Sequence, residues 1–141
     1  MNEELEDVTM FLDKYVNDNA LTAAAVYTGE GHLVAGSEKW SSYGSEEGAG
    51  RIIESIFGEF TPSIEWGEIV EKGKKFRANF VVIRREQEHE IMCKIKPTHW
   101  THCRYSLSAI VLKNGAVLFL LADALLERTI YLNHAFADYL S

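Results

Sequence analysis

Leu5, Val8, Phe11, Leu12, Tyr15 and Val16 recur every three to four residues, the spacing of one apolar stripe on an amphipathic helix. Asn17-Asp18-Asn19 ends that helix, and the pattern then shortens. Leu21–Tyr27 and His32–Gly36 are apolar runs of strand length on either side of Gly29-Glu30-Gly31, whose glycines are turn chemistry. The run Ala23-Ala24-Ala25-Val26-Tyr27 reads as a central strand. After a loop over Ser41–Gly44, Ser45 caps a second helix, Ser45–Phe57. Glu46 and Glu47 favour the positive end of its dipole, and Ile52, Ile53, Ile56 and Phe57 form its buried face. Gly48 and Gly50 lower helix propensity in the first turn, which is either loose or packed closely on a neighbour.

From Ile64 the period changes to two. Glu65–Val70, Lys74–Arg85, Glu90–Lys96, Tyr105–Leu112 and Ala116–Leu121 read as strands, and Leu125–Leu140 as a closing helix. Lys113-Asn114-Gly115 between two apolar runs predicts a type I′ hairpin. The pattern predicts one α/β (α+β) domain over residues 1–141. Its mostly antiparallel sheet has two strands before the middle helix and five after it. The terminal helices cover one face and the further helix lies elsewhere.

Composition and charge narrow the function. The chain carries 14 Lys and Arg against 21 Asp and Glu, a net charge of −7, which argues against nucleic acid as a partner because phosphate binding needs a dense basic surface. No apolar run approaches the roughly 20 residues that span a bilayer. The N-terminus is acidic, the reverse of a signal peptide, and two cysteines are too few for a disulfide framework. A reduced, cytoplasmic protein is expected.

No catalytic signature is present, so an enzyme is not expected. Cys93, His99, His102 and Cys103 lie within eleven residues, but their spacing is not that of zinc knuckles and Cys93 falls inside a predicted strand, so no metal is expected. His102 and Cys103 are adjacent in an extended segment and point to opposite faces, unsuited to a nucleophile–base pair. Neither glycine-rich stretch has phosphate-loop spacing, and no cofactor is expected. Surfaces remain. Alternation puts Lys75 and Arg77 on one face of their strand and Lys94 and Lys96 on one face of theirs, a basic stripe if the strands are neighbours. Phe11, Tyr15, Phe136 and Tyr139 would meet if the terminal helices lie side by side.

Several short motifs, in the same order along the chain, resemble the profilin family. They are Lys14-Tyr15-Val16-Asn17-Asp18, Leu21-Thr22-Ala23-Ala24-Ala25-Val26, Ser45-Glu46-Glu47, Gly73-Lys74-Lys75-Phe76 and Ala137-Asp138-Tyr139-Leu140. The resemblance implies a profilin-like fold that binds monomeric actin or an actin-like protein, regulates filament assembly, and also docks proline-rich segments and phosphoinositides. By position it implies an actin face containing Lys75, Arg77, Lys94, Lys96, Glu127 and Arg128, and a polyproline groove of Leu12, Tyr15, Val34, Phe136 and Tyr139. Leu12 and Val34 stand where profilins carry tryptophans, so polyproline binding is expected to be weak or absent. The alternative is a roadblock or longin domain, a scaffold that pairs through a sheet edge or helix in a signalling or trafficking complex. It shares the helix–hairpin–helix–sheet order but usually has three strands after the middle helix rather than five.

Overall fold

A computed structural model describes residues 2–58, 63–71, 73–84, 90–95 and 105–123, with Ala135 and Asp138. Helix α1 (Asn2–Asp18) leads into strands β1 (Ala23–Tyr27) and β2 (Leu33–Gly36). A single turn α2 (Trp40–Tyr43) and helix α3 (Glu46–Phe57) follow. Five strands come next: β3 (Ser63–Glu71), β4 (Lys74–Arg84), β5 (Glu90–Ile95), β6 (Tyr105–Val111) and β7 (Val117–Asp123). Together they form one seven-stranded antiparallel sheet in the order β2-β1-β7-β6-β5-β4-β3. The fold is mixed α+β, with the two strands before the middle helix and the five after it that the sequence pattern predicts. Of the closing segment, only Ala135 and Asp138 are described, both helical.

Strand alternation divides the core into two layers. On one face, Ala23, Ala25 and Tyr27 of β1 and Val117, Phe119 and Leu121 of β7 pack with Trp40 of α2, Ala49, Ile52, Ile53 and Ile56 of α3, and Trp66 of β3. On the other, Ala24 and Val26 with Leu118, Leu120 and Ala122 receive Leu12 and Val16 of α1. Every residue of β1 is buried, so both sides of this strand must be apolar, and its three alanines let a helical layer approach from each side.

The α3 face is organised by aromatic rings. Trp40 and Trp66 meet edge-on at 6.0 Å, and Tyr27 stands edge-on to Phe119 at 5.2 Å, geometries that suit ring quadrupoles. Trp40 Nε1 donates to the Tyr27 hydroxyl at 3.1 Å and Trp66 Nε1 to the Tyr43 carbonyl at 2.8 Å, so both buried indole donors are satisfied. Gly48 packs closely rather than loosely: a Cβ there would lie 2.3 Å from the Trp66 carbonyl oxygen. The Ser45 hydroxyl accepts from the Gly48 amide at 3.0 Å, the N-cap the sequence implies.

Two local expectations are corrected. The segment Ser41–Gly44, read as a loop, is largely the helical turn α2, closed by Gly44 N–H donating to the Trp40 carbonyl. One turn is too short to show a helical period, and it is held by burial of the Trp40 ring rather than by propensity. The β6–β7 connection is not a type I′ turn. Gly115 has φ of 87°, whereas Asn114 does not adopt a positive φ. Gly115 N–H donates to the Leu112 carbonyl and Leu112 N–H to the Ala116 carbonyl, a three-residue loop closing on a left-handed glycine. Asn114 serves with its side chain instead, accepting from the Ala116 amide at 3.0 Å.

Candidate interaction surface

Strand β3 is an edge of the sheet, and α3 packs beside it. The register of β3 against β4 shifts between Glu65 and Gly67, and Gly67 takes φ of +126° to make the shift. Arg51 reaches from α3 to this point, its Nη1 donating to the Glu65 carbonyl at 2.7 Å. Its other guanidinium nitrogen lies 3.7 Å from the Glu47 carboxylate one helical turn back, an exposed pair worth a few tenths of a kcal/mol. Glu47, Gly50, Arg51, Glu54 and Phe57 share the outer stripe of α3. A Cβ at Gly50 would meet nothing within 4 Å, and Phe57 is 53% exposed.

Phe57 is therefore not part of the buried face of α3, as the sequence pattern suggests. Ile52 and Ile56 centre that face, and Phe57 is roughly a third of a turn away from them. Arg51 was not singled out by sequence. Its partner is a main-chain carbonyl exposed by a register shift, which leaves no pattern in the residue types.

Of the residues expected to line a polyproline groove, Leu12, Tyr15 and Val34 are described. Leu12 is fully buried beneath α1, in contact with the sheet. Tyr15 is half-buried at the margin of the same cluster. Val34 lies elsewhere: the β1–β2 register shifts between Val26 and Tyr27, and Val34 borders a groove with Val8 and Val26 near the hairpin tips. Phe136 and Tyr139 lie outside the described residues, as do Lys96, Glu127 and Arg128 and, among the thiols and imidazoles, His99, His102 and Cys103. For Lys75, Arg77 and Lys94 the backbone placement is described. Arg77 pairs with Glu68, Lys75 with Val70, and Lys94 with Val81 and Ser106. By register these three positions fall on one face of the sheet, the one that bears α1. Among the described residues, no group of three or more metal-ligating side chains occurs, and no helix is long and apolar enough to cross a membrane.

No protein-family profile matches the chain, and no curated protein matches it by sequence. Among solved structures it is similar to Myxococcus xanthus MglB, at 11% identity with a TM-score of 0.54 over 98% of this chain and 87% of that one. This likeness overturns the profilin resemblance and, with it, the expectations of actin binding, filament regulation and polyproline docking. The short motifs that suggested profilin do local structural work: Leu21–Val26 builds the two-sided central strand, Ser45-Glu46-Glu47 caps a helix, and Gly73 turns the β3–β4 hairpin with φ of 77°. The described residues contain the seven strands expected, but that count did not separate the two families. The chain shares the overall fold of MglB.

Proposed function

We propose that this chain is a non-enzymatic scaffold domain of the roadblock/longin kind, which binds protein partners and pairs with a second copy through the border of α3 and β3. The observation that carries this reading is the outer stripe of α3 beside an edge strand. The stripe combines Phe57, 53% exposed, with Arg51 flanked by Glu47 and Glu54. Two such stripes related by a two-fold axis set arginine against glutamate and bury two phenylalanines, the self-complementarity that an isologous interface requires. The open space over Gly50 allows close approach of a second helix. The MglB-like fold over nearly the whole chain supports the class.

Light scattering coupled to gel filtration tests the pairing. The wild type should run as a dimer, and Phe57→Glu should shift it to monomer with an unchanged circular dichroism spectrum. Loss of an aromatic anchor typically costs about 2 kcal/mol or more, over tenfold in dissociation constant. A wild type that stays monomeric at millimolar concentration would remove the pairing surface from the reading.

A further inference from the structure

At the end of the sheet opposite the β3 edge, the tips of two hairpins lie together under α1. A Cβ on Gly29 would sit 3.1 Å from the Gly115 carbonyl, so the turn after β1 and the turn before β7 are in near contact. Between these tips and the helix lies a groove of about 430 Å³ whose walls are Val8, Val26, Val34, Leu112 and Ala116. These walls are aliphatic, and Thr28, Gly29, Asn114 and Gly115 complete the lining at the hairpin tips. Val8 comes from α1, Val26 from β1, and Val34 from the edge strand β2, where the register shift places it beside the other two valines. Val34 is 37% exposed and its neighbour Leu33 44%, so apolar surface continues from the groove to the edge.

The mouth is acidic. Asp7 immediately precedes Val8 in α1. Asp7 and Glu30, the latter at the β1–β2 turn, are exposed. Lys113 at the β6–β7 turn is the opposing lysine among the described residues around the tips. This charge discriminates between occupants. A second copy brings a net charge of −7 to an acidic mouth and is repelled. A polyproline helix needs aromatic walls, and the described walls have none.

We propose that this groove receives a basic peptide segment of a partner protein, with one bulky aliphatic or aromatic side chain seated among Val8, Val26 and Val34 and flanking lysines or arginines facing Asp7 and Glu30. A volume of this size takes one or two large side chains rather than a whole helix face. The flanking charges contribute mainly to association rate and selectivity, and their contribution falls as salt screens them.

The probe is the peptide Lys-Lys-Leu-Phe-Lys-Lys, with Glu-Glu-Leu-Phe-Glu-Glu as its charge-reversed counterpart, followed by amide chemical shifts of the full chain. The basic peptide should move the amides of Val8, Val26, Val34 and Ala116, more weakly as salt is added, and the acidic peptide should not. Val34→Lys, which replaces an exposed wall with a like charge, and Ala116→Leu, which fills the groove, should each weaken binding by about tenfold while the fold is retained. Phe57→Glu should leave peptide binding unchanged, which separates this site from the pairing surface. Equal binding of both peptides, binding of neither, or shifts centred elsewhere would overturn the proposal. So would shifts at these amides that grow with protein concentration alone, which would assign the groove to a second copy.

Discussion

Tyr27 joins β1 to the aromatic layer beneath α2 and α3, and its hydroxyl is where the polar chemistry of that layer concentrates. Burial raises its pKa above the ordinary 10.0; the hydrogen bond from Trp40 acts in the opposite direction, and the nearby Glu46 charge adds to the rise. The folded state thus favours the neutral phenol. Its contribution to stability is complete below the unfolded value near 10.0 and is lost as pH rises through the higher folded value. Tyr27→Phe should flatten the alkaline loss of stability, and at neutral pH should cost about 1 kcal/mol because the Trp40 indole loses its acceptor. Urea unfolding of both proteins from neutral pH to about pH 11 measures this; parallel curves would show that another group governs the alkaline limb. Leu12 teaches a different lesson at this scale. Its place on the apolar stripe was plain in the sequence, but a resemblance assigned it to a surface, whereas the stripe itself already implied burial.

Helix α3 was legible because its start carries chemistry that acts locally: a capping hydroxyl and two acids in the first turn. Ser45→Ala should lower stability by about 1 kcal/mol, as loss of an N-cap commonly does. Ser45→Asp should retain most of it, since a carboxylate can accept from the same amide and also favours the dipole. Thermal melts of the two variants test this, and equal losses would show that Ser45 matters through its contact with Gly67 rather than as a cap. The strands were legible for a similar reason, since alternation is a property of each segment alone. Features that depend on a second segment were not. The turn α2 exists because Trp40 finds Tyr27 and Trp66. The bulge at Gly67, the carbonyl it presents to Arg51 and the placement of Val34 are all set by pairing register. Hence neither the α3–β3 border nor the groove beneath α1 was visible in the residue pattern.

Across the whole molecule, element order identified the class of architecture but not the family, because order is shared by folds that differ in which surfaces they use. What distinguishes the chain physically is a sheet sandwiched between two layers, with β1 and β7 contributing alternate residues to each. Leu120 faces α1 and Phe119 faces the aromatic layer. Leu120→Ala should therefore destabilise both layers together, by about 2–5 kcal/mol. In a Trp100→Phe background, tryptophan emission reports on Trp40 and Trp66 across the sheet, and it should shift in the same transition as far-ultraviolet circular dichroism. Separate midpoints would mean that the layers unfold independently.

The pairing of β1 with β7 also bears on synthesis. Residue for residue, Ala23 to Tyr27 meet Leu121 to Val117, so an interior seam of the sheet joins the first strand to the last of the described strands. A ribosome releases β1 and β2 long before β7 exists, and contacts so distant in sequence form late. Until then the nascent hairpin has two apolar faces and an inner edge awaiting its partner, the kind of surface on which chains associate wrongly. Its shortness and its run of alanines limit what it offers to a stray strand. The quality that lets two layers close on β1 in the finished domain thus also makes it a safer strand to leave waiting.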